Sequence, residues 1–181
     1  MDDYTQTAFV TRDMDASIRN WHAIGAGPFY IVDLSGIDSG AIADRTYRGA
    51  PARDTFRAAI GFLGTTQIEL IDSTNEAPSV FREIPAAHGD ALHHMQARVS
   101  VVTPALFDRC AGNYEALGMP LVATMTTPAG ARTAFYDARA TVGCFLELVE
   151  KSEHTFACVR LMHEAHLRQR ELPMIMPWPA P

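Results

Sequence analysis

One unit written twice is the strongest constraint on this chain. Near the N-terminus, Tyr4-Thr5-Gln6-Thr7-Ala8-Phe9-Val10-Thr11 follows a period-two pattern and leads through an acid into a helical pattern. The stretch Ala91-Leu92-His93-His94-Met95-Gln96-Ala97-Arg98-Val99 has the same build, and superposing the two sets Gln6 on His94. Each half closes on a strand-like run with a carboxylate among apolar residues, Gln67-Ile68-Glu69-Leu70-Ile71 in the first and Phe145-Leu146-Glu147-Leu148-Val149 in the second. A repeat too short to bury its own core must pack on its twin. Because side chains alternate along a strand, the inward faces follow by parity. Gln6, Glu69, His94 and Glu147 are thereby expected on facing surfaces.

On these residues the sequence resembles the vicinal oxygen chelate superfamily, which includes glyoxalase I, methylmalonyl-CoA epimerase, the bleomycin-resistance proteins and the extradiol dioxygenases. The resemblance spans roughly residues 4 to 151. It implies an α+β fold in which two βαβββ modules form cup-shaped mixed sheets around a shared cavity, here followed by a C-terminal helix and tail. It also implies a divalent metal held by the first and last strands of each module, with Gln6, Glu69, His94 and Glu147 at the ligand positions. The Gln/Glu/His/Glu set is similar to one branch of glyoxalase I, whereas the text from Trp21 to Phe29 is closer to the epimerase-like branch. The expected organisation is a single glyoxalase-like domain over 1–181, with module one at about 4–74, a linker helix at about 77–85, module two at about 91–151 and a C-terminal helix with tail at 152–181.

Along the chain, Asp13 can cap a helix whose Met14, Ile18 and Trp21 recur at helical spacing, and Gly25 or Gly27 with Pro28 ends it. The Gly-Ala-Gly follows its helix, so it is punctuation and not a phosphate cradle. Strands are expected at 29–34, 55–63 and 67–71, with a further run at 45–48. The 35–55 segment is open between a substrate-binding loop and an irregular strand pair. Pro104 opens a second helix with Leu106, Cys110, Tyr114 and Leu117 on one face, and strands follow near 120–125, 131–137 and 144–150. An amphipathic helix is expected over 152–170, with Phe156, Val159 and Met162 inward. The apolar, proline-rich tail from Pro173 is expected to dock on a second copy, which makes a homodimer the expected assembly.

Composition narrows the partners. A formal charge of −6 without a basic stripe argues against nucleic acid or an anionic membrane surface; the partner the resemblance implies is a small-molecule substrate. Cys110, Cys144 and Cys158 fit neither a zinc knuckle nor a disulfide framework, and Met1-Asp2-Asp3-Tyr4 has no signal-like character, so the cytoplasm is the expected compartment.

Singly, each proposed ligand has a bland reading: a solvated edge Gln, a half-buried strand His, a water-facing Glu on an antiparallel sheet. Together, at equivalent strands of a repeat, they describe an open octahedral site for Zn, Ni, Co, Mn, Fe or Mg. By parity, Gln96 and Arg98 line the cup with His94, and Phe145 lines it with Glu147, making these three the expected substrate contacts. His93, of opposite parity, is expected to turn away from the metal as a core or interface histidine. His163 and His166 lack the third ligand of a zincin motif. What the resemblance implies is proton transfer alpha to a carbonyl through a metal-bound enediolate, on a thioester, hemithioacetal or hydroxy-ketone, with Glu147 as the catalytic base and Glu69 as the alternative. The rival readings are a metal-free binding protein of the bleomycin-resistance type and, with only one His in the ligand set, an extradiol-type dioxygenase.

Overall fold

A computed structural model describes residues 4–34, 43–87, 89–126 and 131–180, apart from the side chains of Ala43 and Arg98. In chain order the elements are β1 (Tyr4–Thr11), α1 (Met14–Ala23), β2 (Phe29–Leu34), β3 (Ala43–Tyr47), β4 (Ala50–Pro51), β5 (Phe56–Leu63) and β6 (Thr66–Ser73), then a 3-10 turn at Val80–Arg82. The second half runs β7 (Ala91–Val99), α2 (Pro104–Ala116), β8 (Leu121–Thr126), β9 (Arg132–Asp137), α3 (Arg139–Val142) and β10 (Phe145–Val149). It is followed by α4 (Glu153–His166), a 3-10 turn at Gln169–Glu171 and β11 (Ile175–Met176). The three longer helices start on side-chain caps that satisfy otherwise orphaned N–H groups: Asp13 accepts from Ala16, Thr103 from Leu106 and Ser152 from Thr155.

All strands join one sheet in the order β11-β2-β5-β6-β1-β7-β10-β9-β8-β3-β4. The first strands of the two halves, β1 and β7, pair antiparallel at its centre, and each pairs in parallel with the last strand of its own half. The register repeats as the sequence does: Gln6 sits opposite Gln67 and His94 opposite Phe145, in each case two residues before the carboxylate.

Strand alternation separates the faces. On the outer face α1 lays Met14 and Ile18 against Ile68, Leu70 and Ala59, and α2 lays Phe107 against Ala134, Tyr136 and Leu148. The concave face is closed at both ends. At one end Val80 and Phe81 of the linker pack on Val10, Ile71 and Phe145. At the other, Phe156, Val159 and Met162 of α4 pack on Tyr4, Tyr30 and Phe62. His166 pins α4 in place by donating from Nδ1 to the Gly27 carbonyl at 2.7 Å and accepting at Nε2 from the Gly64 N–H at 3.0 Å. Between the two apolar plugs lies a polar band, and the functional question concerns that band.

Three expectations change. The linker helix is a single 3-10 turn, Val80–Arg82, with Val80 and Phe81 buried. The run at 45–48 is strand β3, but it leaves its own half and pairs with β8, with β4 completing the sheet edge; the part of the 35–55 segment at 35–42 lies outside the described residues. The tail docks on its own chain: Phe29 donates to the Met174 carbonyl at 2.8 Å, β11 pairs with β2, and Met176 joins the core beneath α4. Ile175 and Trp178 of the tail nevertheless stay exposed. Among the described residues no helix is long and apolar enough to cross a membrane.

Candidate metal centre and active site

The band is built around a residue that does almost nothing chemically. Ala8, with no exposed surface, sits in register between Glu69 on β6 and His94 on β7. With only a methyl group at that point of the central strand, the two flanking side chains can lean toward each other. Nε2 of His94 lies 3.2 Å from a carboxylate oxygen of Glu69 and 3.3 Å from one of Glu147, and one donor atom from each of the three residues falls within 4.8 Å of the others. Neither approach is aligned as a hydrogen bond, and this fully buried Nε2 has no hydrogen-bond partner. An orphaned buried nitrogen is costly unless something else satisfies it.

The protonation pattern around it follows from its neighbours. Nε2 of His93 lies 3.0 Å from the Val80 carbonyl, which can only accept, so that nitrogen carries a hydrogen. Burial, aided by the adjacent His94, pushes His93 down to about 3, so its ring is neutral and its Nδ1 is an acceptor. That Nδ1 lies 2.9 Å from Nδ1 of His94, which must donate. The remaining nitrogen of His94 therefore presents a lone pair to two carboxylates. A proton or a cation has to fill that position. Burial of His94 opposes a proton, but Glu147 and then Glu69 outweigh it and push the imidazole up to about 9. A divalent cation also suits the position: two carboxylate oxygens and an imidazole nitrogen are hard-to-borderline donors, and the second ring nitrogen is already oriented by His93, as in metal-bound histidines.

These opposite shifts give a testable stability profile for metal-free protein. His94, raised from the ordinary value of 6.5, contributes stability fully present below pH 6.5 and lost as pH rises through about 9. His93, depressed to about 3, has the reverse effect: the unfolded chain takes up its proton first, so stability falls as pH drops below 6.5. Glu147, whose carboxyl is lowered by His94 and Lys151 against the effect of burial, adds to that acid loss. Melting temperatures from pH 4 to 10 are expected to peak near pH 6.5, and His94→Gln should flatten the alkaline side. An alkaline side of unchanged steepness in His94→Gln would refute the assignment.

The expected site residues separate into three groups. Glu69, His94 and Glu147 come together as described. Gln6 borders the same cavity, but its amide is engaged, donating to Gln67 at 3.0 Å and accepting from Gln96. Gln96 is a hub. Lys151 donates to its carbonyl oxygen at 3.1 Å, which fixes the amide so that its nitrogen donates to both Gln6 and Glu147. Gln96 therefore orients other groups within the cavity wall. Phe145 does not line the cavity: it has no exposed surface and stacks on His93 in the core, ring centroids 5.0 Å apart, because the linker plug covers that end of the face. The side chain of Arg98 lies outside the described residues. His93 does not turn away. An irregularity in the β1–β7 register, where Ala8 pairs with His94 and Phe9 with Leu92, leaves His93 without a partner and brings both rings to the same side.

Two residues of the band were missed. Gln67 pairs with Gln6, and Lys151 continues the inward row of Glu147 and Val149 past the end of β10, held by a two-way backbone bridge with Val102. Parity from Glu69 and Glu147 would have found both. The cavity they border, about 180 Å³, has its far wall made by Thr155, Cys158, Val159 and Met162 of α4, with Trp178 of the tail beside them.

Two βαβββ modules joined through their first strands around a shared polar cavity constitute the vicinal oxygen chelate fold, and this chain has that fold. Among solved structures, methylmalonyl-CoA epimerase from Mycobacterium tuberculosis matches it with a TM-score of 0.52 at 18% identity, over 86% of this chain and 91% of that one. The Streptomyces coelicolor methylmalonyl-CoA epimerase in complex with 2-nitronate-propionyl-CoA gives 0.50 at 16% identity, over 84% and 99%. A Bacillus halodurans protein described as hypothetical gives 0.52 at 16%, over 82% and 93%. At these identities the likeness is one of fold. No protein-family model matches the sequence, and no curated protein does.

Proposed function

We propose that this chain is a metal-dependent enzyme that moves a proton at the carbon next to a carbonyl, as an epimerase-type isomerase or a glyoxalase I-like lyase. The observation that carries the proposal is the unpartnered Nε2 of His94 between two carboxylates at the edge of a small cavity. Glu69, His94 and Glu147 would hold the cation, with Gln6 able to join if its amide oxygen leaves Gln96. A divalent ion bound there would supply Lewis-acid polarisation of a carbonyl oxygen. The chain supplies the rest. Glu147, fixed by Gln96 on one oxygen and facing the cavity, is the base that takes the alpha proton, and Glu69 across the site is positioned to act from the other side. Helix α4 and Trp178 keep bulk water away from the reacting carbon. The epimerases that share the fold act by name on an acyl-CoA, which supports the same class of chemistry without fixing the substrate.

The test is exchange of a substrate's alpha proton with solvent deuterium, followed by NMR over a panel of small hydroxy-ketones, 2-oxo acids and acyl thioesters, with bound metal quantified on the same sample. Metal-loaded protein is expected to exchange at least one compound, and chelator-treated protein to exchange none. A chain that is purified without stoichiometric metal and exchanges nothing when loaded would instead be a binding protein.

A further inference from the structure

Lys151 enters that proposal only by holding the Gln96 carbonyl oxygen, and its surroundings are unusual for a lysine. Only 9% of it is exposed, yet its ammonium has a single hydrogen-bond partner, the Gln96 carbonyl oxygen, and forms no ion pair among the described residues. Two of its three N–H donors are left over, on the wall of the cavity that holds Glu69 and Glu147. A charge this buried is retained only where something compensates it. The two carboxylates do so at a distance when the site is otherwise empty. Burial pushes the Lys151 ammonium down and the two carboxylates hold it up; once a divalent ion neutralises them, with His94 uncharged as a ligand, an anion beside Lys151 would take over that support.

The rest of the cavity limits what that anion can be. Its volume of about 180 Å³ is below the roughly 300–1,000 Å³ that drug-sized ligands occupy. Beside the polar band the lining carries apolar side chains, Ile60 and Val149 from the sheet and Val159, Met162 and Trp178 from α4 and the tail. We propose that Lys151 is the anion-recognising group of this site, and that the substrate is a small 2-oxo or 2-hydroxy compound bearing one carboxylate and a short apolar chain. The inference rests on the proton-transfer reading for the word substrate and on a bound divalent ion for the balance of charge; its geometric footing is the pair of unused Lys151 donors on the cavity wall.

Calorimetric titration of zinc-loaded protein with pyruvate and with its uncharged analogue hydroxyacetone tests this directly. Wild type is expected to bind pyruvate roughly tenfold or more tightly than hydroxyacetone, the range for a hydrogen bond to a charged group. Lys151→Met should bring the two affinities within about threefold; because Lys151 also holds the Gln96 carbonyl oxygen, zinc content and hydroxyacetone affinity are measured on the same variant and the comparison is the ratio of the two ligands' affinities within each protein. Lys151→Arg should restore the preference, and Lys151→Gln serves as a second neutral variant should the methionine form fold poorly. Equal binding of the two compounds by wild type, or a pyruvate preference that survives both neutral variants, would overturn the proposal. A preference that depends on Lys151 in a protein showing no proton exchange would leave the anion site standing and remove only the enzymatic reading.

Discussion

Glu147→Gln is expected to slow alpha-proton exchange by about 10²–10⁴-fold, the range for loss of a positioned general base, while the protein keeps its metal. The substitution isolates the base because it changes so little else. Gln96 cannot turn to meet the new amide differently, since Lys151 holds its carbonyl oxygen, so its nitrogen goes on donating and selects the oxygen of the new side chain as partner. The oxygen donor remains for a cation, the volume is conserved, and only the basic charge is gone. Metal analysis alongside the exchange rate separates a lost base from a lost ligand. Glu69→Gln provides the comparison: if Glu69→Gln alone abolishes exchange and Glu147→Gln does not, the two carboxylates have exchanged roles.

How much of this site could be read before folding depends on which rule places each residue. Glu69, His94 and Glu147 were legible because repeat position and strand parity are both preserved: the ladder sets Gln6 by Gln67 and His94 by Phe145 in matching register. His93 was misplaced because parity assumes an unbroken ladder, and one irregularity in β7 cancels it locally. Phe145 had the right face but the wrong depth. Parity gives direction, whereas whether a concave position is cavity or core depends on what covers it, and the linker that brings Val80 and Phe81 there has no periodic signature. The crossing of β3 to β8 and the return of the tail to β2 are long-range pairings of a five-residue and a two-residue strand. Segments that short carry too little alternation to announce a partner.

The second large effect concerns the pair of histidines. His94→Ala is expected to abolish stoichiometric metal binding, because it removes the sole nitrogen donor of the cluster. His93→Phe is the more discriminating variant, with an expected loss of about 10–100-fold in metal affinity, the cost of deleting an outer partner of a metal-bound histidine. Phenylalanine keeps the packing, since His93 is surrounded by Phe81, Phe135 and Phe145. What it removes is the acceptor for the Nδ1 hydrogen of His94. That hydrogen would then be buried without a partner, and the imidazole would favour carrying it on Nε2, facing the carboxylates where the cation belongs. Competition against a chelator of known affinity measures the loss. If His93→Phe held metal as tightly as wild type while His94→Ala lost it, His93 would be a packing residue and the relay from the Val80 carbonyl to the metal position would have no functional weight.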